Sequence, residues 1–335
     1  MLNFGVVLLD NSFCSSVGGI IDVFHLANAH CRSSPQFSRE PFRWSLLSDR
    51  AGRPVSIAGG LKLVADTSLS SADQFDMIYL PAGTYPGADA LESWLGQHTR
   101  LLKQLSQLAD KGVKIGATCT STFLLAEAGL LNNRRATTTW WLERKFRARY
   151  PHVDLDPRQA MTEDRGIYCS GALNAYHQLA LRLVEEHASP EIATLCAKSA
   201  LINQGQAHQT PYYDLSIPIA NEDPLITKAQ YWLRNHMRRD VDFTELADDL
   251  GTSQRTLIRR FKQATGSTPL KFLQNLRLEA SKSLLLNSPL GVNEVMEEVG
   301  YSDPSAFIRL FKQRVGLTPS GFRQRFSDAS LAQDR

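Results

Sequence analysis

The sequence predicts an α/β domain with a mostly parallel sheet, followed by an all-α domain. Up to about residue 200, short apolar runs alternate with helical stretches, which is typical of βαβ units covered on both faces of the sheet. After about residue 225 the strand pattern ends, and helical periodicity broken by Gly or Pro remains. The hydrophobic fraction is 43% and the charged fraction is 21%, which excludes fibrous and mostly disordered proteins.

Each element of the first part of the chain is predicted from its local pattern. Apolar runs of strand length predict strands at Phe4–Leu9, Trp44–Leu47, Asp76–Pro81, Val113–Gly116 and Ile167–Cys169. Helical periodicity predicts helices at Val17–Ala29, Leu91–Asp110, Thr120–Glu127 and Ala172–His187. Ala82 and Gly83 form a turn after the third strand, and Lys111 with Gly112 stops the second helix.

The domain boundaries are predicted from length and from a proline-rich stretch. A chain of 335 residues suggests about two domains at roughly 150 residues each. The segment Gln209–Pro224 contains three prolines and polar breaks, which are typical of a linker. We therefore predict a first domain at 1–205, a linker at 206–226, a second domain at 227–326 and a tail at 327–335.

Charge and cysteine usage restrict the partners and the compartment. From residue 227 onward there are 17 Lys and Arg against 12 Asp and Glu, while the rest of the chain has 20 against 22. This basic excess favours a polyanionic partner for the carboxy-terminal domain alone. The apolar runs are far shorter than the roughly 20 residues of a membrane helix, and no basic segment precedes the first one. Five cysteines without a CxxC pair indicate a reducing compartment, so a cytoplasmic protein without a membrane partner is expected.

The carboxy-terminal domain contains an internal repeat. Leu246–Gly251 aligns with Val295–Gly300 at an offset of 49 residues. Phe261–Gly266 aligns with Phe311–Gly316, and Thr268–Phe272 aligns with Thr318–Phe322, both at an offset of 50. Each copy has the pattern of a helix, a turn at a glycine and a second helix with an apolar face. The repeat therefore predicts two helix-turn-helix units.

The second helix of each unit has the division of faces that a DNA-recognition helix needs. Ser253 is a favourable N-cap, and Leu257, Phe261 and Ala264 lie on the inner face at helical spacing. A helical bundle with solvated arginines would explain one copy, but the repeat and the capping pattern together disfavour it. The outer face of each helix carries hydrogen-bond donors and small side chains, which can contact base edges and phosphates. Two such helices could enter two successive major grooves. The predicted DNA-contacting residues are Ser253, Gln254, Arg255, Thr256, Arg259 and Arg260 in the first unit, and Ser302, Pro304, Ser305, Ala306 and Arg309 in the second.

Approximately the last hundred residues resemble the DNA-binding domain of the AraC/XylS family. The motifs that carry the resemblance are Leu246-Ala247, Ser253-x-x-Thr256-Leu257, Phe261-Lys262, Gly266-Ser267-Thr268-Pro269, Arg277-x-x-Ala280, Leu284-Leu285, Gly300-Tyr301-Ser302-Asp303, Phe307-x-x-x-Phe311-Lys312 and Gly316-x-Thr318-Pro319-x-x-Phe322-Arg323. Met296 departs from the family, which usually has a small residue there. Met296 is expected to alter the packing of the second helix-turn-helix unit but not the resemblance to the family.

Cys119 lies between a predicted strand and a predicted helix, within Ile115–Leu124. A turn of this kind can expose a nucleophile, because the helix N-terminus and local amides lower the thiol pKa and hold an oxyanion. A lone cysteine is more commonly a small buried core residue. Position alone leaves both readings open.

The wider amino-terminal sequence resembles the ThiJ/PfpI-like domains of the class I glutamine amidotransferase-like fold. The residues that carry it are Gly19-x-x-Asp22-Val23-Phe24, Leu80-Pro81-Ala82-Gly83, Cys119–Leu131, Arg135-Ala136-Thr137-Thr138 and Gly171-Ala172. The match is to the branch fused to AraC-type domains, the GlxA-like regulators, and implies a flavodoxin-like parallel sheet. In enzymes of the superfamily a carboxylate lies beside the thiol, and some also use a histidine. Ser16 and Thr139 occupy those positions here, so the thiol lacks a base and no catalytic residue is expected.

The two resemblances together imply a transcriptional regulator that senses a small molecule. The implied partners are double-stranded promoter DNA, RNA polymerase, a second copy of the chain in a homodimer, and a nitrogen metabolite such as an amino acid, a betaine or another amine. Activation is the implied sign of regulation. Trp140, Trp141 and Tyr176 could form an aromatic wall for a cationic ligand. The alternative is that these three residues pack in the core or at a dimer interface. The predicted ligand-binding residues are Ser16, Gly83, Cys119, Thr120, Thr139 and Trp140.

Two alternatives remain beside this reading. The first is a residual cysteine hydrolase or hydratase with an accessory helical domain, which requires turnover that depends on Cys119. The second is an architectural DNA binder that responds to no ligand, which leaves the long α/β domain without a role. No metal or cofactor is expected, because no His, Cys and carboxylate cluster has the spacing of a metal site.

Overall fold

The computed structural model describes residues 1–34, 39–49, 52–87, 90–204, 209 and 223–331. The chain divides into two compact units near residue 210. We call them the amino-terminal unit and the carboxy-terminal unit. In the described ranges, no helix combines the length and the apolar character needed to span a bilayer.

The amino-terminal unit is built on a central sheet. Its strands are β1 Leu2–Val7, β2 Phe42–Ser48, β3 Pro54–Ser56, β4 Lys62–Val64, β5 Thr67–Ser68, β6 Met77–Leu80, β7 Lys114–Thr118, β8 Arg135–Ala136, β9 Asp154–Leu155, β10 Met161–Asp164 and β11 Ile167–Ser170. Among the described residues, seven of them form one sheet in the order β10-β11-β7-β6-β1-β2-β5. Every pairing in that sheet is parallel except β10 with β11. The strand order reverses between β1 and β6, which is where open α/β sheets bind ligands at their carboxyl ends.

Helices cover both faces of this sheet, as the nearly continuous apolar strands require. They are α1 Cys14–Arg32, α2 Leu91–Gln97, α3 Thr99–Asp110, α4 Thr122–Glu127, α5 Glu143–Arg149, α6 Tyr176–His187 and α7 Pro190–Ser199. One core joins Phe4 of β1 to α1, α6 and α7. The other joins Ile78 and Ile115 of the sheet to α3, α4 and α5. The predicted α/β class is therefore confirmed.

The structure corrects several predicted elements. The single helix expected at Leu91–Asp110 is two helices that meet at His98. The Thr99 hydroxyl donates to the carbonyl of Gly96 at 2.7 Å and replaces a main-chain bond of a continuous helix. Helices α5 and α7 and the short strands from β3 to β5 and from β8 to β10 were not predicted. The missed strands have two to four residues, too few for a period to be read.

The carboxy-terminal unit is helical throughout its described part. Its helices are α8 Pro224–Asn235, α9 Phe243–Asp249, α10 Gln254–Thr265, α11 Pro269–Asn287, α12 Val292–Glu298, α13 Pro304–Val315 and α14 Pro319–Leu331. They surround two separate apolar cores. Phe272 and Leu276 of α11 enter the first core, and Leu278 and Leu285 of the same helix enter the second. Helix α11 therefore belongs to both halves of the unit.

Candidate functional site

Cys119 lies at a sharp turn directly after β7. Its φ of +59° lies in the left-handed region, which costs a non-glycine residue of order 1–3 kcal/mol and persists only where neighbouring contacts impose it. Two hydroxyls impose it here, because Thr122 Oγ1 donates to the Cys119 carbonyl at 2.7 Å and Thr138 Oγ1 donates at 3.1 Å. The Cys119 side chain is therefore set at the carboxyl end of β7, close to the point where strand order reverses.

The Cys119 thiol is protonated at neutral pH. Burial raises its pKa to about 11, and the amide of Thr120 and the hydroxyl of Thr139 offset only part of that rise. Only the thiolate is a good nucleophile, so a thiol with this pKa is poorly suited to covalent catalysis. The local amides thus do not produce the reactive cysteine that the turn alone would allow.

A chain of uncharged hydroxyls begins at Ser16, the residue predicted to stand at the carboxylate position of the related enzymes. Ser16, on α1, accepts a hydrogen bond from the amide of Ala82 at 2.8 Å, and its Oγ lies 2.8 Å from the Tyr79 hydroxyl. The chain continues from Tyr79 to Thr118 at 2.7 Å and from Thr118 to Ser170 at 2.6 Å. Burial holds the pKa of Tyr79 far above its ordinary value. None of these groups takes a proton from a thiol at neutral pH.

Two buried hydroxyls have unused hydrogen-bonding capacity, one near the Cys119 thiol and one on a residue that pairs with Gly83. Among the described residues, Thr139 Oγ1 and Ser12 Oγ are buried and meet no atom with hydrogen-bond geometry. Thr139 is close enough to the thiol to lower its pKa, although it does not meet that geometry. Ser12 pairs as a bridge with Gly83. A buried polar group without a partner costs roughly 1–3 kcal/mol, so these two hydroxyls favour a ligand at this position.

Two of the predicted ligand-binding residues, Gly83 and Thr120, are in direct contact. Thr120 Oγ1 donates to the Gly83 carbonyl at 2.7 Å and accepts from the Gly83 amide at 3.1 Å, which links the turn to the segment after β6. Trp140 is buried and meets Trp141 edge to face, with the ring centroids 5.3 Å apart. The ring of Tyr176 instead fills the space beside Gly19 of α1.

A cavity lies at the carboxyl ends of β1 and β2. It has a volume of about 160 Å³ and an apolar floor that includes Val55 and Leu69. Charged rim residues include Asp49 and Arg100. Gln104 lines it with a buried Oε1 that meets no partner among the described residues. Sequence reasoning did not find this cavity, because its residues come from distant segments without a common motif.

The first helix-turn-helix motif consists of α9 and α10. Gly251 has a φ of +63° in the turn, and Ser253 Oγ accepts from the Thr256 amide at 3.2 Å as the N-cap of α10. Leu257 and Phe261 are fully buried. Gln254, Arg255 and Arg259 are exposed, and Thr256 is half-buried.

The second motif consists of α12 and α13. Gly300 has a φ of +87° in its turn, and the side chain of Asp303, not Ser302, caps α13 by accepting from the Ser305 amide at 2.8 Å. Phe307 and Phe311 form the buried face, and Met296 is accommodated in the same core. Among the predicted DNA-contacting residues, Ser302, Pro304, Ser305 and Arg309 are exposed and Ala306 is half-buried.

Arg260 has a partner within the protein. Its guanidinium donates to both carboxylate oxygens of Asp223, at 2.9 and 2.5 Å. The Asp223 carboxylate also caps α8 by accepting from the Leu225 amide at 3.0 Å. Arg260 thus holds α8 against α10 through this ion pair, and its predicted DNA contact stays a prediction.

Arg277 joins the two motifs. From α11 it donates to the carbonyl of Met237 at 2.8 Å and to that of Arg239 at 2.7 Å, both just after α8. Its guanidinium also lies 5.2 Å from the ring centre of Tyr301, in the turn of the second motif. A Cβ on Gly300 would lie only 2.7 Å from the Met237 carbonyl oxygen, so the segment between α8 and α9 closely approaches the turn of the second motif. Specific contacts therefore connect α11 and the segment before the first motif with the turn of the second motif.

The described residues contain no group of three or more His, Cys, Asp or Glu side chains placed to hold a metal ion. The described cysteines are free thiols, and Cys14 is the exposed one among them.

Comparisons with known proteins match both units. The DJ-1/PfpI family matches residues 35–186, and a helix-turn-helix domain family matches residues 246–325. The chain is 27% identical over 295 residues to the HTH-type transcriptional regulator CdhR of Pseudomonas aeruginosa, covering 86% of this chain and 84% of that protein. It is 28% identical over 284 residues to the HTH-type transcriptional regulator GlxA of Rhizobium meliloti, covering 82% and 83%.

A solved structure supports the fold of the amino-terminal unit. A protein from Vibrio parahaemolyticus assigned to transcriptional regulation has a TM-score of 0.50 at 21% identity, covering 60% of this chain and 99% of that one. The similarity covers the α/β fold, and the full-length relatives add the helical part in the same order. The chain therefore combines a domain that matches the DJ-1/PfpI family with a helix-turn-helix domain, and along most of its length it is similar to the regulators CdhR and GlxA.

Proposed function

We propose that this protein is a DNA-binding transcriptional activator whose α/β unit senses a small nitrogen-containing metabolite. The observation that carries the proposal is the pair of recognition helices, each with a buried apolar face, a capped N-terminus and an exposed basic or polar face. The proposed DNA contacts are Ser253, Gln254, Arg255, Thr256 and Arg259 on the first motif, and Ser302, Pro304, Ser305, Ala306 and Arg309 on the second. Arg260 supports the first motif through Asp223.

The proposed effector site is the region around Cys119. Ser16, Gly83, Thr120, Thr139 and Trp140 accompany the thiol, and the unpaired hydroxyls of Thr139 and Ser12 would meet a ligand's polar groups. Effector binding acts on DNA affinity only if the ligand binds the DNA-competent state more tightly than the other state. The protein would act in the cytoplasm as a homodimer and would recruit RNA polymerase.

The chemistry around Cys119 supports sensing and argues against turnover. A hydrolase or hydratase needs a group that takes the thiol proton and returns it to the leaving group. Ser16 and Thr139 stand in place of such groups, and the thiol pKa near 11 keeps the sulfur protonated. We therefore propose that the protein is not an enzyme.

The proposal is tested by binding of the purified protein to its own upstream region. Specific binding should fall steeply with salt and survive competitor DNA, and one member of a panel of amines, betaines and amino acids should shift it. Thr139→Val should abolish that shift without changing binding in the absence of effector. Gln104→Leu, in the cavity at β1 and β2, serves as the matched control. If Gln104→Leu abolished the shift and Thr139→Val did not, sensing would be assigned to the cavity at β1 and β2. Binding no tighter than to random DNA would contradict the proposal that the protein is a transcriptional regulator.

A further inference from the structure

Gln209 is a buried residue at the beginning of the segment predicted as a linker. The residue is 3% exposed, although its neighbours on both sides belong to a polar, proline-containing stretch. Its main-chain amide donates to the carbonyl of Arg158 at 2.7 Å. A buried glutamine must find partners for both ends of its amide group, and the amino-terminal unit supplies them.

Four oxygen atoms surround the Gln209 amide nitrogen. Nε2 lies 3.0 Å from the carbonyl oxygen of Thr138, 2.9 Å from that of Pro157 and 2.9 Å from that of Gln159. The Thr137 hydroxyl is the fourth, at 3.3 Å. On the other side, the amide of Ala172 donates to Gln209 Oε1 at 2.7 Å. One N–H donor on one side and several acceptors on the other fix the orientation of the amide group.

We propose that these atoms form a binding site for a primary carboxamide, and that its occupant is Gln209 of the same chain. We call this site, formed by Thr137, Thr138, Pro157, Gln159 and Ala172, the carboxamide socket. A carboxylate would place a second oxygen against three carbonyl oxygens, and an alkyl group would leave buried donors and acceptors unpaired. A primary carboxamide matches both sides of the socket.

Gly171 supplies a second, independent indication that the socket is built for this side chain. A Cβ at position 171 would meet three atoms within about 2.3 Å, and all three belong to the Gln209 amide group: Cδ at 2.1 Å, Nε2 at 2.1 Å and Oε1 at 2.3 Å. The φ of Gly171 is not in the positive range, so its backbone does not itself require glycine. The missing side chain at Gly171 therefore provides the space that the carboxamide fills.

The socket shares a residue with the Cys119 turn. The Thr138 carbonyl accepts from Gln209, while the Thr138 hydroxyl donates to the Cys119 carbonyl at 3.1 Å. A rearrangement that moves Thr138 changes both contacts at once. The filled socket thus ties the start of the segment that leads to the carboxy-terminal unit to the wall of the Cys119 region. This inference does not depend on the proposed effector or on DNA binding.

Limited proteolysis of the full-length protein tests whether the socket holds the chain. Tyr212 and Tyr213 follow Gln209 closely and are chymotrypsin targets, whereas no Lys or Arg lies between Lys198 and Lys228. Gln209→Ala should accelerate chymotrypsin cleavage after these tyrosines at least tenfold. Gly171→Ala should do the same, because its methyl group displaces the amide. Gln178→Ala, which removes a surface amide bonded to the Asn203 carbonyl, is the control and should leave the rate close to wild type.

Chemical rescue tests the ligand class. Acetamide restores the atoms that Gln209→Ala removes beyond Cβ, so it should slow cleavage of that variant in a saturable manner. Acetate and N,N-dimethylacetamide should not, because the first lacks donors and the second lacks both N–H groups. Acetamide should not rescue Gly171→Ala, whose socket is blocked.

Two results would overturn the proposal. One is a cleavage rate in Gln209→Ala that equals wild type. The other is a variant that is cleaved faster but responds alike to acetamide, acetate and dimethylacetamide. Gln209→Met, with a side chain of similar length, guards against a folding defect: its far-ultraviolet circular dichroism should match wild type while its cleavage is fast and insensitive to acetamide.

Discussion

Replacing Arg277 with alanine should uncouple the two helix-turn-helix motifs. The substitution removes two hydrogen bonds from a charged donor to the Met237 and Arg239 carbonyls and the contact with the Tyr301 ring. Hydrogen bonds to charged groups contribute roughly 1.5–3 kcal/mol each, and the low end applies because Arg277 is only half-buried. An exposed cation–π contact adds about 0.5–1 kcal/mol. We expect the free energy of unfolding to fall by about 3.5–4 kcal/mol.

Arg323 provides a matched control. It donates to the Leu285 carbonyl at 2.8 Å and to the Leu290 carbonyl at 2.6 Å, so Arg323→Ala removes a similar pair of bonds. All of its partners lie in the second half of the carboxy-terminal unit, whereas those of Arg277 reach from the end of α8 to the second motif. The two variants should therefore lose similar stability, measured as a lower urea midpoint with an unchanged slope.

DNA affinity should separate the two variants. Two sites on a rigid spacer bind more tightly than either alone, commonly by a factor of about 10²–10⁴. Both affinities are measured in buffer without urea, where the variant is folded. We expect Arg277→Ala to bind an operator that spans two major grooves at least tenfold more weakly than wild type. Its affinity for a half-site should be unchanged. Arg323→Ala should change the two affinities by the same factor. Equal losses on the full operator for both variants would refute the role of Arg277 in setting the spacing.

Three further predictions follow from the same structure. Arg255→Ala and Arg309→Ala should each weaken specific DNA binding by roughly 1–3 kcal/mol if the side chain contacts a base. If the side chain contacts phosphate, the loss should be equal on all sequences. A gel-shift titration that finds no loss at either position would contradict the assignment of these residues to the outer face. In the native protein at pH 7.5, iodoacetamide should modify the exposed Cys14 and leave Cys119 unmodified, as checked by peptide mass spectrometry. Because folding raises the pKa of Cys119 from 9.0 to about 11, its contribution to stability is complete below pH 9 and is lost as the pH rises toward 11, at up to about 1.4 kcal/mol per pH unit. Cys119→Ala should therefore show a shallower loss of stability over that interval in urea titrations, and an unchanged slope would place the titrating group elsewhere.

Local pattern was sufficient for the elements that carry the fold. The central strands and the two motifs of the carboxy-terminal unit have enough residues for apolar periodicity and capping to be read, and the turn at Cys119 follows from a strand that meets a helix. The boundary between α2 and α3 at His98 could not be predicted from the sequence pattern. The Thr99 hydroxyl closes the turn there, and the apolar residues keep their helical spacing across it. The outlines of the predicted domains and the roles of the predicted site residues stay predictions.

Side-chain partners across long sequence separations could not be predicted. Arg260 has the position of an outer-face residue on α10, and only the folded chain brings Asp223, 37 residues away, onto its guanidinium. The same limit applies to Gln209, whose partners Thr138 and Ala172 lie 71 and 37 residues away. A polar, proline-containing stretch predicts a solvated linker and contains no signal that one of its residues is buried.

The contacts of Thr138 explain how a region that has no base beside its thiol can still be useful. In an enzyme, the left-handed backbone at Cys119 would present a reactive sulfur, and the strain would be part of the chemistry. Here the sulfur is protonated, and the same turn instead fixes a carbonyl that Thr122 and Thr138 both hold. Since Thr138 also accepts from Gln209, a ligand that met the Thr139 hydroxyl would act directly beside the residue that holds the start of the linker. A site that is joined by a few hydrogen bonds to a tethered segment would suit a sensor, and those bonds require neither a carboxylate nor a thiolate.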